Sequence, residues 1–285
     1  MTKFIYISDT HMGADQVRLQ QQGYPKQTAE ILTALKAYLH GQGDIDFVLH
    51  GGDMIGTLSD AGIVASATAF DWDVPVHLCL GNHDLDSPTA VERWLALAPR
   101  FFGDSGKPVY TVATEDCRIH VVPNHWCEEP YYWRDSLDAQ FSTDQLTYLT
   151  EALDAEPDLP HIVQTHSPAF GVPEEQTGFA EPFHSPAPAF TAVFIELASR
   201  HPNLKCVLGA HNHINTHVVH EGVHFVTSSA LVEVPFEFKI LEVTPGAMAM
   251  STVSLNDSVR FDAVYDAEKA YAQGRESDRL FADEF

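Results

Sequence analysis

Basic residues are scarce in this chain. Only 16 Lys and Arg stand against 40 Asp and Glu, a formal net charge of -24 over 285 residues. Long nucleic acid is held by clustered Lys and Arg, so a surface of this sign excludes it as a partner. The acidity alone fits ordinary solubility or a salty interior and names no reaction. A small anionic substrate stays open, because a local cation overrides a distant field. Cysteine is scarce too. Cys79, Cys117, Cys127 and Cys206 are scattered with no CxxC pair. Two of them lie in the apolar runs VHLCLG and KCVLG, which reads as buried free thiols in a reducing compartment. No apolar run approaches the ~20 residues that cross a bilayer. The start, MTKFIYISDTHMG, lacks the basic, apolar and small-residue regions of a secretory signal. The expectation is a cytoplasmic protein with no membrane partner.

What is present is a large apolar complement, 45% of residues, enough for a substantial core. KFIYIS, DFVLHG and VPVHLCLG read as buried strands, each followed by a polar turn. Between and after them the pattern predicts helices over 28–40, near 59–70, and over 88–97, the last with Pro88 at an early helical position. Such alternation argues for βαβ units and a mainly parallel sheet. VYTVATEDCRIHVVPN predicts a hairpin turning at Glu115 and Asp116. A helix follows, capped by Ser142 or Thr143 and carrying Leu146, Leu149 and Leu153. HIVQTH and KCVLGAH repeat the strand-then-turn pattern around a helix over 188–200. Beyond His213 the chain predicts β-hairpins: HVVHEGVHFVTSS, then FKILEV and MAMSTVSL around Pro245 and Gly246. Residues 167–188, rich in Pro, Gly and Phe, predict a long loop. From about Asp262 the chain is polar and reads as a terminal helix or a loose tail. With no repeat and no linker, the organisation is one domain over 1–260 and an extension or tail over 261–285.

Every strongly polar cluster falls directly after a predicted strand. These clusters are Asp9-Thr10-His11, Gly52-Asp53, Gly81-Asn82-His83-Asp84, Thr165-His166 and Gly209-Ala210-His211-Asn212-His213. In an α/β sheet, ligands bind at the carboxyl ends of the strands. Five strand ends therefore deliver Asp, His and Asn to one rim. Carboxylates can bridge two cations, and imidazoles favour Zn, Fe or Mn over Mg or Ca. The i,i+2 spacing of Asp9 with His11, and of His211 with His213, puts both members of each pair on one side of an extended segment. Two cations roughly 3.5–4 Å apart share a hydroxide and clamp phosphoryl oxygens during in-line displacement. Taken singly, a D-x-H or a Gly-Asp is more often structural, GNHD is evenly balanced, and HNH fits a polar turn. All five in order, each at a strand end, do not fit that bland reading.

This ordered set, D-x-H, G-D, G-N-H-D, H and H-x-H, resembles the calcineurin-like metallophosphoesterases over roughly residues 3 to 230. The one departure is Ala210, which stands between Gly209 and the His pair. The resemblance implies an α/β fold, a four-layer α/β/β/α sandwich of two mixed β-sheets flanked by helices, with the metallophosphoesterase domain over 1–260. It further implies two divalent metal ions (Mn, Fe or Zn), one held by Asp9, His11 and His213 and the other by Asn82, His166 and His211. Asp53 would bridge them. His83 would stand outside the metal shell, protonating the leaving oxygen or stabilising charge, and Asp84 would orient its neighbours. The layout is similar to the bacterial cyclic-nucleotide and glycerophosphodiester branch. The implied function is hydrolysis of a small phosphoester, a phosphodiester first, by a metal-bridging hydroxide. Phosphomonoesterase, protein phosphatase and a non-catalytic interaction scaffold are the alternatives, and a scaffold would be expected to have lost ligands that this chain retains.

Substrate selection falls to the surroundings. Arg18, in GADQVRLQQQGYPKQT, is placed to meet a phosphate, or sits in an ordinary solvated loop. Asn124-His125-Trp126 and Pro130-Tyr131-Tyr132-Trp133-Arg134 concentrate aromatics. These either stack on a base, with Arg134 on phosphate and His125 near the site, or pack beneath the long loop. That loop, with Phe170, Phe179, Phe183 and His184, serves as a pocket wall, a static surface, or a homo-oligomer contact. His217, His220 and His224 read as ordinary strand histidines, and His50 as a strand residue near the metals.

Overall fold

The computed structural model describes residues 1–126, 131–133, 136–181 and 183–285. Chain order runs β1 (Thr2–Ile7), α1 (Thr28–Gln42), β2 (Phe47–His50), α2 (Asp60–Ala69), β3 (Val76–Leu78), α3 (Ala90–Leu97), β4 (Tyr110–Ala113) and β5 (Arg118–Val121). It continues α4 (Thr143–Ala155), β6 (His161–Gln164), α5 (Glu174–Thr177), α6 (Pro188–Arg200), β7 (Leu204–Gly209), β8 (Thr216–His220) and β9 (Val223–Thr227). It closes with β10 (Glu237–Thr244), β11 (Ala247–Ser254), α7 (Glu276–Arg279) and β12 (Leu280–Glu284).

The strands form two six-stranded mixed sheets, ordered β12-β11-β10-β1-β2-β3 and β4-β5-β6-β7-β9-β8. In the first, β1, β2 and β3 are parallel while β10, β11 and β12 run antiparallel. In the second, β5, β6, β7 and β9 are parallel, with β4 and β8 antiparallel at the edges. The period-2 alternation of side chains sorts each strand between two cores. On β1, Phe4 and Tyr6 face one way, into the cluster that Ile119, Ile162, Cys206, Leu208 and Val226 of the other sheet also line. Ile5 and Ile7 face the other way, into the cluster that holds Ile31, Leu32, Leu35 and Leu39 of α1. On the opposite sheet, Val163 and Val207 join the helix-side cluster with Phe190, Phe194 and Leu197 of α6. Helices therefore cover the outer faces and the sheets pack face to face, the four-layer α/β sandwich expected from the motif set.

Local chemistry sets the helix ends. α1 stops where Gly43 takes φ 72°, its N–H returning to the Leu39 carbonyl. α4 begins with a capping box, Ser142 Oγ accepting from Gln145 N–H at 3.2 Å and Gln145 Oε1 accepting from Ser142 N–H at 3.0 Å. The same Gln145 donates to the Pro123 carbonyl at 2.7 Å, which ties the helix to the end of β5 beside the site. Two departures from the sequence pattern stand out. Pro88 lies outside α3, which begins at Ala90. The C-terminal region is also neither a lone helix nor loose, since β12 pairs with β11 from Ala247↔Glu284 to Ser251↔Leu280. Among the described residues, no helix is long and apolar enough to cross a membrane.

Candidate metal centre

The carboxyl ends of the parallel strands meet at one end of the sandwich. Backbone bonds carry the ladder past the strands: Asp9 N–H donates to Gly52 O at 3.0 Å, His11 N–H to Asp53 O at 3.0 Å, and Ala210 N–H to His166 O at 2.8 Å. Across the two sheets, Tyr6 Oη–H donates to Gly209 O at 2.9 Å and Gln164 Nε2–H to His50 O at 2.8 Å. Held this way, Asp9, His11, Asp53, His211 and His213 all adopt positive φ, at 53°, 41°, 52°, 69° and 59°. That region is strained for side-chain-bearing residues, and strain of this kind collects at functional sites. Gly81 makes the closeness feasible: a Cβ there would stand 2.8 Å from His166 Cε1 and 2.5 Å from Asp53 N.

Two groups of donors result. Asp9, His11 and His213 form one and Asp53, His166 and His211 the other, while His11, Asp53 and His83 make a third set that overlaps both. Within the first, His213 Nε2 lies 3.3 Å from Asp9 Oδ1 and 3.3 Å from His11 Nε2. Within the second, His166 Nε2 lies 3.5 Å from Asp53 Oδ2. Asp53 Oδ2 is also 3.9 Å from His11 Nε2, so this carboxylate stands between the groups. Hydrogen bonds fix the tautomers. His166 donates Nδ1–H to Gly51 O at 2.8 Å, and His213 donates Nδ1–H to Glu233 Oε1 at 3.0 Å. With Nδ1 committed, both rings aim Nε2 at the carboxylates, where a cation would take the place of a proton, the arrangement that metal-ligating histidines share.

The donors fit cations. Both carboxylate oxygens of Asp9, the amide oxygen of Asn82 and Nε2 of His166 are buried without a well-aligned hydrogen-bond partner. Buried polar atoms left so are costly unless something uses them. Charge points the same way. Burial pushes His166 and His213 down, yet Asp53 beside the one and Glu233 with Asp9 beside the other bring them up to about 9 and about 10. Burial works against the charge of Asp9 and Asp53, but the imidazoles hold both carboxyls below the usual range. Burial keeps His11 at about 4 and His211 at about 3, so their rings are neutral and able to ligate. The pocket demands positive charge, and its acceptors converge on it.

The flanking residues divide by their partners. His83 donates Nδ1–H to Gly56 O at 2.9 Å, and its backbone N–H donates to Asp53 Oδ1 at 2.8 Å. This leaves its Nε2 on the side of the cleft that it lines. Asp84 is consumed by backbone: it accepts from Met54 N–H at 3.1 Å, Ile55 N–H at 3.2 Å and Gly81 N–H at 3.0 Å. Its part is to hold the neighbouring turns. His50 is also committed, Nε2 to Thr10 Oγ1 at 3.0 Å and Nδ1 to Gly52 N–H at 3.2 Å.

A cleft of about 740 Å³ opens over these groups. Segment 14–19 forms one wall, with Thr57, Trp133, Leu137 and His184 around it. Arg18 and His184 both line this cleft. His125 does not: it is buried, bridges Gln140 through its backbone, and packs edge-on against Tyr131 with ring centroids 4.5 Å apart. Arg134 lies outside the described residues, as does Cys127. His217 and His224 are bonded to each other at 2.9 Å beside Phe281, away from the cleft. The sequence reading missed the placement of Trp126, which is buried against the candidate ligand His211 with ring centroids 5.0 Å apart. It also missed Glu233, whose only signal was a carboxylate inside an apolar run, LVEVPF.

The family model described as calcineurin-like phosphoesterase matches residues 2–215. Among solved structures, a dimetal phosphatase from Danio rerio is similar at 16% identity and TM-score 0.68, over 89% of this chain and 96% of that one. GAP50, the anchor in the inner membrane complex of Plasmodium, is similar at 10% identity and TM-score 0.61, over 95% and 90%. A 5'-nucleotidase from Candida albicans matches at 14% identity and TM-score 0.55, over 96% of this chain and 54% of its own length. At these identities the likeness is one of fold. No curated protein matches the sequence.

Proposed function

The chain belongs to the calcineurin-like phosphoesterases, and from that premise we propose that it hydrolyses a phosphodiester at a pair of divalent cations. Asp9, His11 and His213 would hold one cation, Asn82, His166 and His211 the other, with Asp53 shared. Mn, Fe and Zn all suit this mixture of imidazole and oxygen donors. Bound cations supply Lewis acidity towards phosphoryl oxygens and lower the pKa of water. The chain's own residues do the rest. His83, steadied by its Nδ1–H bond to Gly56 O, would act as an imidazolium, giving the second proton, on Nε2, to the departing oxygen and returning to the neutral ring. Asp84 holds the turns that carry Asp53 and Asn82 through its bonds to Met54 N–H and Gly81 N–H, and the buried His50–Thr10 pair steadies the turn after β1.

The observation that favours a diester is the character of the cleft wall. Among the described residues, Arg18 is the one Lys or Arg that lines it, beside Asp15 and the apolar Val17, Leu19, Trp133 and Leu137. A diester phosphate carries one negative charge and brings a second organic substituent. One guanidinium and an apolar wall match that pair better than they match a dianionic monoester. The full donor set speaks against a scaffold without catalysis, which has no need of it. Free, buried Cys79, Cys117 and Cys206 support a reducing compartment such as the cytoplasm.

The test is turnover of bis-p-nitrophenyl phosphate against p-nitrophenyl phosphate by the metal-loaded protein. We expect kcat/KM to favour the diester; a preference for the monoester would overturn this choice. Asp53→Ala is expected to abolish the cation pair, and metal analysis finding two tightly held ions would contradict the bridging role. His83→Ala should keep its metals and lose most turnover on substrates with poor leaving groups. Near-normal rates there would remove His83 from the reaction.

A further inference from the structure

The cleft wall formed by segment 14–19 runs on into two glutamines, Gln20 and Gln21, each only 2% exposed. Both are tied to a part of the chain some 250 residues away. Tyr271 Oη–H donates to Gln20 Oε1 at 3.1 Å, and Gln20 Nε2–H reaches His184 Nε2 and Asn212 O, each at 3.1 Å. Gln21 Nε2–H donates to Asp266 O at 2.9 Å and Lys269 O at 3.1 Å, while Asp266 N–H returns to Gln21 Oε1 at 2.9 Å. Lys269 Nζ donates to Leu19 O at 3.2 Å. From the inner side, Glu233 accepts from Leu19 N–H and Gln21 N–H, both at 2.8 Å.

We propose that segment 264–273 is a specificity element: it braces the loop that carries Arg18 and, through Gln20, sets the direction of the His184 ring at the cleft. The inference rests on the phosphodiesterase reading for what the cleft accepts, but the brace itself is a matter of bonds already described. Because Nε2 of His184 accepts from Gln20, the ring keeps its proton on Nδ1, as a donor. Without the Tyr271 hydroxyl, Gln20 loses its anchor on one side and is free to turn its amide. Both Arg18 and His184 then lose a defined position relative to the substituent that they face. Tyr271 and Lys269 bond to Gln20 and Leu19, not to a candidate metal ligand or to His83, so the chemistry should be spared while binding suffers. Tyr271 and Lys269 are in this sense positioning residues.

The experiment uses the full-length, metal-loaded protein with Tyr271→Phe, Lys269→Met and the pair combined. For bis-p-nitrophenyl phosphate we expect KM to rise roughly five- to tenfold in the double variant, with kcat within twofold and metal content unchanged, the size of one or two lost hydrogen bonds. Hydrogen exchange of the Leu19, Gln20 and Gln21 amides should quicken by a similar factor, a readout that needs no substrate. Unchanged KM together with unchanged exchange would overturn the proposal, as would a fall in kcat and metal content in step with KM. If the wild type turns over no phosphodiester yet the exchange change appears, the brace stands and the substrate reading fails.

Discussion

At the scale of single residues, Glu233 is the most informative side chain. Its carboxylate accepts from His213 Nδ1–H and from the backbone of the Leu19–Gln21 loop at once, while only 3% exposed. Burial opposes its charge, but His213 and these amides hold it below the usual carboxyl range. Replacing such an outer partner of a metal histidine generally weakens metal binding roughly 10- to 100-fold. Glu233→Gln is therefore expected to lower metal affinity by that factor, read by titration of the metal-free protein. An unaltered affinity would show that His213 is oriented without it. The candidate ligands were legible in the sequence because each sits in a short motif at the end of an apolar run. Glu233 was not, because its partners are a ring about 20 residues before it and backbone amides more than 200 residues away. Nothing local in VEVP marks that convergence.

At the scale of elements, the site is built from the approach of turns after β1, β2, β3, β6 and β7. Gly81 sits where the turns after β2 and β3 touch. Gly81→Ala would drive a methyl into Asp53 Oδ1, Asp53 N and His166 Cε1, displacing the carboxylate proposed to bridge the cations and meeting backbone that cannot yield. We expect loss of metal binding and a fall in stability of a few kcal/mol, in the range of overpacked core sites; a variant with normal Tm and two metals would refute this. Periodicity sufficed for most strands and helices, since the Phe4/Tyr6 and Ile5/Ile7 alternation and the α1 stripe are written in single segments. It failed for β12. LFADE is mostly exposed and takes its strand form from pairing with β11, a partner that only the tertiary fold supplies. His125 was misplaced for the same kind of reason: its distance from the strand end was right, but Tyr131 captured the ring.

At the scale of the whole molecule, two ionic demands set stability. The first is the metal centre. Removing cations leaves Asp9 and Asn82 oxygens buried without alignment, and a ligand present at a hundredfold excess over its Kd contributes about 2.7 kcal/mol. Chelation is expected to lower Tm by on the order of 5–10 °C, reversibly on returning metal; no change in Tm would mean that the donors hold no cation. The second is Lys239 on β10, fully buried and donating to Thr252 Oγ1 at 3.2 Å. Burial brings its ammonium down from an ordinary 10.5 to about 7. Between these values the unfolded chain binds more protons than the native one, so stability rises with pH from about 7 towards 10. The slope is on the order of 1.4 kcal/mol per pH unit at most. Lys239→Met should flatten the Tm profile over that window and raise Tm at pH 7; parallel profiles would place the proton elsewhere.

The donors also come from both halves of the sandwich, Asp9, Asp53 and Asn82 from one sheet and His166, His211 and His213 from the other. A cation there acts as a bolt through two plates, while the apolar layer between the plates holds without it. Starvation for metal would then leave a standing stock of intact but idle molecules, and resupply would re-arm them without new synthesis.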